Sequence, residues 1–559
     1  MDYFKMFTLV LGGLGLFLFG MKQLSQSLQS LGSPVIKKLI DYVTANRVFA
    51  VIVGCVITCF VQSSSVSTVM MSGFVNAGLM NLSQAVGFIF GANIGTTITG
   101  WIISLKIGKY GLLMIGLGAI PMLFCSNNKI KNISRLLFAL GMVFFGLEFM
   151  GDAFKPLRKD ADFLKFMTHF AADSPLTILA CFGMGCALTM IIQSSSAMLG
   201  ITIALATQGA ISFPTAAALV LGENIGTTVT LWIASIGANK MTKRAALAHS
   251  TFNLTGTLII FFIFSYYLDF IEMIMGNDVS IKNEAGEYTH AAANIAAVHS
   301  VFNVSMTILF LPFLQYLVRF VCFVIPESKH DKISFHYFGS LRNLSPVMAL
   351  VEARQVMKQM GDLTSECLKM TTGFLLAEAA DPRIAEEVMK LEDKADDMQK
   401  ELALFLGNIM TQELDSQQTI EVKTMIRASD ELESVTDYCA NVVKYRQRLD
   451  ENGMKLSPES IEMLRKFTSD IEIFFDDTDK ILKNMEVESV EKFVNEYKRL
   501  NEEANKIRDH HLEMVQNNDY PPLFGLTFSD IMISLRRIKN HTLNVVDAVN
   551  GSKTSDIVM

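Results

Sequence analysis

Apolar stretches dominate the first 330 positions, and their lengths are uneven. Blocks lie at roughly 6–21, 48–61, 66–80, 84–105, 111–125, 133–150, 176–192, 197–211, 214–236, 246–275 and 293–325. A helix that spans a bilayer needs about 20 apolar residues. Several of these blocks are shorter, and two pairs of them are interrupted by polar residues. Val48–Val61 and Val66–Met80 flank Gln62-Ser63-Ser64-Ser65; Cys181–Ile192 and Ala197–Ile211 flank Gln193-Ser194-Ser195-Ser196. This pattern predicts broken or re-entrant helices, because non-helical backbone at membrane depth is tolerated only inside protein or beside a wet cavity. From about residue 340 the pattern changes to helical periodicity with acidic faces and little Pro or Gly, which predicts a bundle of long amphipathic helices. The fold class expected is all-α: a polytopic membrane domain over 1–330, followed by a soluble helical bundle over 340–559.

Charge sharpens this division. Residues 1–330 hold 20 Lys+Arg and 14 Asp+Glu, whereas residues 331–559 hold 28 and 41. A tenth charged is too little for a water-exposed globule, and three tenths is ordinary for a soluble domain. A single soluble enzyme and a secreted disulfide scaffold are both disfavoured, since none of the eight cysteines has zinc-site or disulfide-framework spacing. The first apolar run, Met6–Met21, is followed by Lys22-Gln23-Leu24-Ser25 rather than by a small-residue cleavage site, so it reads as a retained membrane segment. Basic loops at Lys129, Lys131 and Arg135 and at Lys240, Lys243 and Arg244 are candidates for the cytoplasmic side. The expected location is the cell inner membrane, multi-pass, with the tail in the cytoplasm.

Shifted by 131 residues, the chain overlays itself without a gap. From 58 to 104 there are 17 identities in 47 positions, among them both Gln-Ser-Ser-Ser motifs, Asn93-Ile94-Gly95-Thr96-Thr97 with Asn224-Ile225-Gly226-Thr227-Thr228, and the chain's only tryptophans, Trp101 and Trp232. A weaker match pairs Phe19-Gly20-Met21 with Phe145-Gly146-Leu147. The expected organisation is repeat 1 over about 6–125, repeat 2 over about 133–260, and extra helices to 326. Duplicated halves with interrupted helices are a hallmark of secondary transporters, in which an odd number of crossings per half inverts the second copy.

The duplicated residues suit small ions. Gln-Ser-Ser-Ser offers an amide and three hydroxyls, and a half-helix starting there adds free N–H groups that favour an oxyanion. Carbonyl and hydroxyl oxygens suit a hard cation. Glu223 breaks the repeat, its counterpart being Ala92. An acid in an apolar block is by default a functional candidate: a cation ligand, a proton-coupled group, or a buried acid tied to a neighbouring side chain. A second duplication, His249-Ser250-Thr251-Phe252-Asn253 and His299-Ser300-Val301-Phe302-Asn303, reads as helix–helix hydrogen bonding, with a gating role as the alternative.

The doubled QSSS and GxNIGTT segments resemble the type II sodium-dependent phosphate cotransporter family, in its bacterial branch. The resemblance implies phosphate at Gln62, Ser63, Ser64, Ser65, Ser195 and Ser196. It implies sodium at Gln193, Ser194, Asn224, Thr227, Thr228 and Thr230, with Asn93, Thr96, Thr97 and Thr99 as the symmetry-related candidates. The tail resembles PhoU-type bundles, whose acidic pairs bind metal. Glu392 with Asp396 and Glu433 with Asp437 would supply such a divalent or trivalent site, whereas the positions 103 residues later have become Arg536 and Asn540. The function implied is sodium-coupled phosphate transport regulated by the tail; the alternative is a phosphate sensor or exporter signalling through it. Expected partners are inorganic phosphate, the lipid bilayer, a second copy of the chain as a homodimer, and a phosphate-signalling protein on the tail, with no nucleic acid. The residues contain no P-loop, nucleophile–base spacing or HExxH, so no enzyme is expected.

Overall fold

A computed structural model describes residues 3–40, 46–76, 80–105, 107–160, 171–236, 240–284, 286–326, 346–412, 414–485, 489–516 and 521–551. The chain forms two compact units, which divide between 327 and 347; residues 327–345 lie outside the described residues.

In the first unit, α1 (Tyr3–Ile40) precedes a broken pair, α2 (Arg47–Val61) and α3 (Ser64–Asn76). Next come α4 (Leu82–Thr96), α5 (Ile98–Ser104) and α6 (Gly111–Phe124). After α7 (Asn128–Phe154), the same succession returns as α8 (Pro175–Ile192), α9 (Ser195–Thr207), α10 (Phe213–Thr227) and α11 (Val229–Ala234). Most boundaries coincide at the 131-residue offset. Local signals set them: Asn46 accepts from the Val48 and Phe49 N–H groups, Asn81 and Gln84 form a capping box, and Ser212 caps α10. Beyond 240, two helix pairs are related by 50 residues: α12 (Lys240–Phe262) with α13 (Phe264–Met275), and α14 (Ala291–Phe310) with α15 (Leu314–Val324). Among the described residues, seven helical segments are long and apolar enough to cross a membrane, and the halves of the broken pairs are shorter.

Close approaches reveal the symmetry. Gly20 of α1 lies against Val143 of α7, and Gly146 of α7 lies against Phe17 of α1. Each contact is the other's counterpart under the weaker match of these helices. Low numbers on one helix meet high numbers on the other, so the two equivalent helices are antiparallel and the second repeat is inverted. Inside each repeat the order is parallel: Arg47, Val51 and Cys55 lie against Gly87, Gly91 and Gly95, as Phe182 and Cys186 lie against Gly222 and Gly226. The motif glycines therefore serve close helix contact. A Cβ on Gly91 would overlap the Val51 carbonyl oxygen, and one on Gly222 the Phe182 carbonyl oxygen.

The second unit comprises α16 (Pro346–Leu376), α17 (Pro382–Ile409), α18 (Ser416–Glu451), α19 (Pro458–Asn484), α20 (Val490–Gln516) and α21 (Pro522–Asn550). Its core is apolar, with Phe374, Phe467, Phe474 and Phe475 fully buried.

Gly91→Val and Gly222→Val should each destabilise the membrane unit by about 1–3 kcal/mol through overpacking. Gly116→Val, at a position with open space around it, should not. Thermal unfolding in detergent distinguishes these outcomes.

Candidate functional site: two reversed helix breaks

The two QSSS turns have the same backbone. Gln62 (φ 56°, ψ 21°) and Gln193 (φ 56°, ψ 25°) are both left-handed, and their N–H groups cap the preceding helices at Thr58 O and Thr189 O, each at 2.7 Å. Left-handed geometry costs a non-glycine residue about 1–2 kcal/mol, and here it occurs at equivalent positions. The next half-helix starts at once. Ser63 Oγ accepts from the Val66 N–H at 3.3 Å, and Ser194 Oγ from the Ala197 N–H at 3.2 Å. This leaves the N–H groups of Ser64, Ser65, Ser195 and Ser196 without a partner among the described residues. The capping hydroxyls also keep their protons. Each turn therefore presents donors beside a positive helix end, an arrangement suited to an oxyanion.

The repeats interlock around these turns. The half-helix α3 packs on α11, and α9 on α5. The Thr230 hydroxyl, in repeat 2, shares a hydrogen bond with Ser65 Oγ of repeat 1 at 3.0 Å and with its own helix at Thr227 O at 2.8 Å. Its counterpart Thr99 instead donates within its own repeat, to Gln62 Oε1 at 2.9 Å.

The threonines of the following motif carry opposite chemistry. Thr96 donates to Ala92 O, Thr97 to Ile94 O, Thr227 to Glu223 O and Thr228 to Ile225 O, at 2.8–2.9 Å. With their protons turned into the backbone, the Thr96, Thr97 and Thr227 hydroxyls offer only lone pairs outward, which suits a cation, whereas Thr228 already accepts from the Ser250 hydroxyl at 3.1 Å. The site thus holds two classes of group, donors on the serine turns and acceptors on the threonine segments.

The duplicated His-Ser motifs make the helix–helix hydrogen bonds expected of them, with partners that the sequence did not name. His249 Nε2 meets Asn93 Oδ1 at 3.1 Å, and His299 Nε2 meets Asn224 Oδ1 at 3.0 Å. Trp232 Nε1 donates to Ser250 Oγ at 2.7 Å, and Trp101 Nε1 to Ser300 Oγ at 2.8 Å. Each late helix therefore holds the asparagine of one repeat and the tryptophan of the other. The duplicated His-Ser motif and the two tryptophans were the signal, and their pairing across the repeats was not readable. Buried polar atoms without a protein partner among the described residues follow the same symmetry: Oγ1 of Thr58 and Thr189, Nδ2 of Asn93 and Asn224, Nδ1 of His249 and His299, and Oδ1 of Asn253 and Asn303. An unpaired buried group costs about 1–3 kcal/mol, so this repeated set marks a polar interior suited to a ligand.

The symmetry is incomplete. Gln62 is buried, donating to Cys59 O at 2.5 Å and accepting from Thr99, whereas Gln193 is exposed. Glu223 is buried and accepts from Thr202 at 2.9 Å.

The Na+/Pi-cotransporter family model matches residues 16–152 and 163–281, and the PhoU domain model matches residues 357–445. The chain is thus similar to the Na+/Pi-cotransporter family over its first part and to the PhoU domain over part of its second. It is 28% identical to "Uncharacterized protein YqeW" of Bacillus subtilis over 56% of this chain and 96% of that one. It is 26% identical to "Putative inorganic phosphate export protein YjbB" of Escherichia coli over 75% of this chain and 72% of that one. A shorter match, 37% identical over 17% of this chain and 16% of the relative, is to "Sodium-dependent phosphate transport protein 2A" of Rattus norvegicus.

In the PhoU domain the expected metal cluster is not assembled. Among the described residues, no three His, Cys, Asp or Glu side chains are placed to hold a metal ion. Glu392 and Asp437 hydrogen-bond to each other, Asp396 is paired with Lys400, and Glu433 accepts from Ser434. The i, i+4 spacing does place acids on shared faces, where burial and repulsion from Asp437 and Asp396 push the Glu433 carboxyl up, and Lys400 pairs with Asp396 alone of the four. In the other half, Asn540 accepts from the Tyr497 hydroxyl at 3.1 Å. Burial, reinforced by Asp437, pushes the Glu392 carboxyl up to about 7.

Removing His249 or His299 leaves an asparagine carbonyl unpaired, so His249→Ala and His299→Ala should each cost about 1–3 kcal/mol, read as a lower Tm in detergent. The folded PhoU domain binds the Glu392 proton more tightly than the unfolded chain does. Its contribution is complete below the ordinary value of 4.5 and is lost as pH rises through about 7. The tail's unfolding midpoint should fall over that interval, and Glu392→Gln should flatten the dependence.

Proposed function

We propose that this protein is a sodium-coupled transporter of inorganic phosphate, with phosphate held between the two QSSS turns. The observation that carries this reading is the pair of reversed half-helix starts, each with two unpartnered N–H groups and a capping serine, interlocked through α3 with α11 and α5 with α9. The family match supports phosphate as the substrate, as does the naming of relatives for phosphate export and for sodium-dependent phosphate transport. The acceptor-only threonines support a sodium ion beside the anion. Phosphate would meet Ser63, Ser64, Ser65, Ser195 and Ser196, with Gln62 bracing its turn. Sodium would meet oxygens from Gln193, Ser194, Asn224, Thr227, Thr228 and Thr230.

Inversion of the repeats supports alternating access. The exposed Gln193 and the buried Gln62 fit one conformation of such a cycle, in which the two equivalent turns differ. Transport is then an exchange between equivalent arrangements and needs no covalent chemistry, so the protein is not an enzyme in this reading. Net direction follows the ion gradients, and the name of the Escherichia coli relative favours export as a physiological mode. The PhoU domain would lie on the cytoplasmic face of the inner membrane and regulate flux by binding a phosphate-signalling protein.

In proteoliposomes, an inward sodium gradient should drive radiolabelled phosphate uptake at least tenfold faster than a potassium gradient. Loss of one charge-assisted hydrogen bond is worth about 1.5–3 kcal/mol, so Ser195→Ala should raise the half-saturating phosphate concentration by about tenfold or more. Equal flux in sodium and potassium would refute the coupling. An unchanged phosphate requirement in Ser195→Ala would refute the anion site.

A further inference from the structure

One pair of touching residues separates the two repeats chemically. In repeat 2, Thr202 of α9 donates to Glu223 Oε1 of α10. At the equivalent positions, repeat 1 has Met71 and Ala92, both fully buried. The two differences are 21 residues apart in each repeat, and both change from apolar to polar together. They therefore amount to one polar contact inserted into one half of an otherwise two-fold site.

The inserted group is a carboxylate with no counter-charge. Glu223 is 2% exposed and Thr202 is 1% exposed. Among the described residues, no Lys, Arg or His forms an ion pair with Glu223, and Thr202 is its one side-chain partner. Taking an ion from water into such an interior costs several kcal/mol unless an opposite charge accompanies it. The turn that follows on the same helix is polar and neutral: Asn224 is next in sequence, and Thr227 donates to the Glu223 backbone carbonyl at 2.8 Å, which turns its lone pairs outward. A carboxylate beside the Thr202 hydroxyl suits a hard cation.

We propose that Glu223 and Thr202 form a sodium-binding site unique to the second repeat, with the carboxylate as the anionic ligand that neutralises the ion. This rests on the reading of the protein as a sodium-coupled phosphate transporter, and it deepens that reading. The two-fold threonine segments offer neutral oxygens in both halves. Glu223 adds a full negative charge to one half, so the cation load of the two halves is unequal. The Glu223 half would bind sodium more tightly, and its occupancy would set the sodium dependence of flux.

The test compares sodium titrations of phosphate flux by the full-length protein in proteoliposomes. Glu223→Gln keeps the shape and removes the charge. The double variant T202M/E223A installs the pair that repeat 1 already packs, so it carries its own precedent for folding. The half-saturating sodium concentration should rise at least tenfold in both variants, and the Hill coefficient for sodium should fall. Sodium titrations of both variants that superimpose on wild type would overturn the site. So would variants whose sodium dependence is intact and whose pH profile alone moves, since that outcome assigns the carboxylate to a proton. If wild-type flux itself ignores sodium, the parent reading fails instead.

Discussion

The first-order constraint on this protein is that a helix interrupted at membrane depth exposes hydrogen-bonding groups that lipid cannot satisfy. Every feature around the two QSSS turns answers that constraint. Left-handed Gln62 and Gln193 close the preceding helices with a single bond each, and Ser63 and Ser194 satisfy the third N–H of the next ones. What remains unsatisfied is two N–H groups per turn. In a membrane interior these are tolerable only where protein or a wet cavity encloses them, which is why the residual donors are the site proposed for phosphate.

Enclosure is achieved by duplication and inversion. Antiparallel α1 and α7 set the axis, and the glycine contacts at Gly91 and Gly222 bring each threonine segment close to the helix that ends in its turn. The late helices then brace both repeats at once, through His249 with Asn93 and Trp232 with Ser250, and through His299 with Asn224 and Trp101 with Ser300. A movement of one repeat relative to the other must alter these bonds. They are therefore placed to favour discrete arrangements over continuous ones.

Much of this was legible in the residues. The helices end at Val61 and Ile192, directly before the glutamine of each motif, because a polar run between apolar runs is an unambiguous interruption. The all-α class and the change to a soluble bundle followed from charge and periodicity. The role of the motif glycines was not legible: they are sites of helix contact, which depends on what lies opposite. The braces join residues 156 and 199 positions apart, and no local pattern encodes such a pairing. The tail failed differently. Its acids have the right spacing, but Asp396 pairs with Lys400 and Glu392 hydrogen-bonds to Asp437, and spacing does not report a side chain's partner.

The central claim is that both turns act on one anion. Hydrogen exchange at the amides of Ser64, Ser65, Ser195 and Ser196, followed with and without phosphate in sodium buffer, tests it most directly. Joint protection of both turns on adding phosphate, weakened when potassium replaces sodium, is the predicted result. Protection of one turn alone, or of neither, would contradict the account.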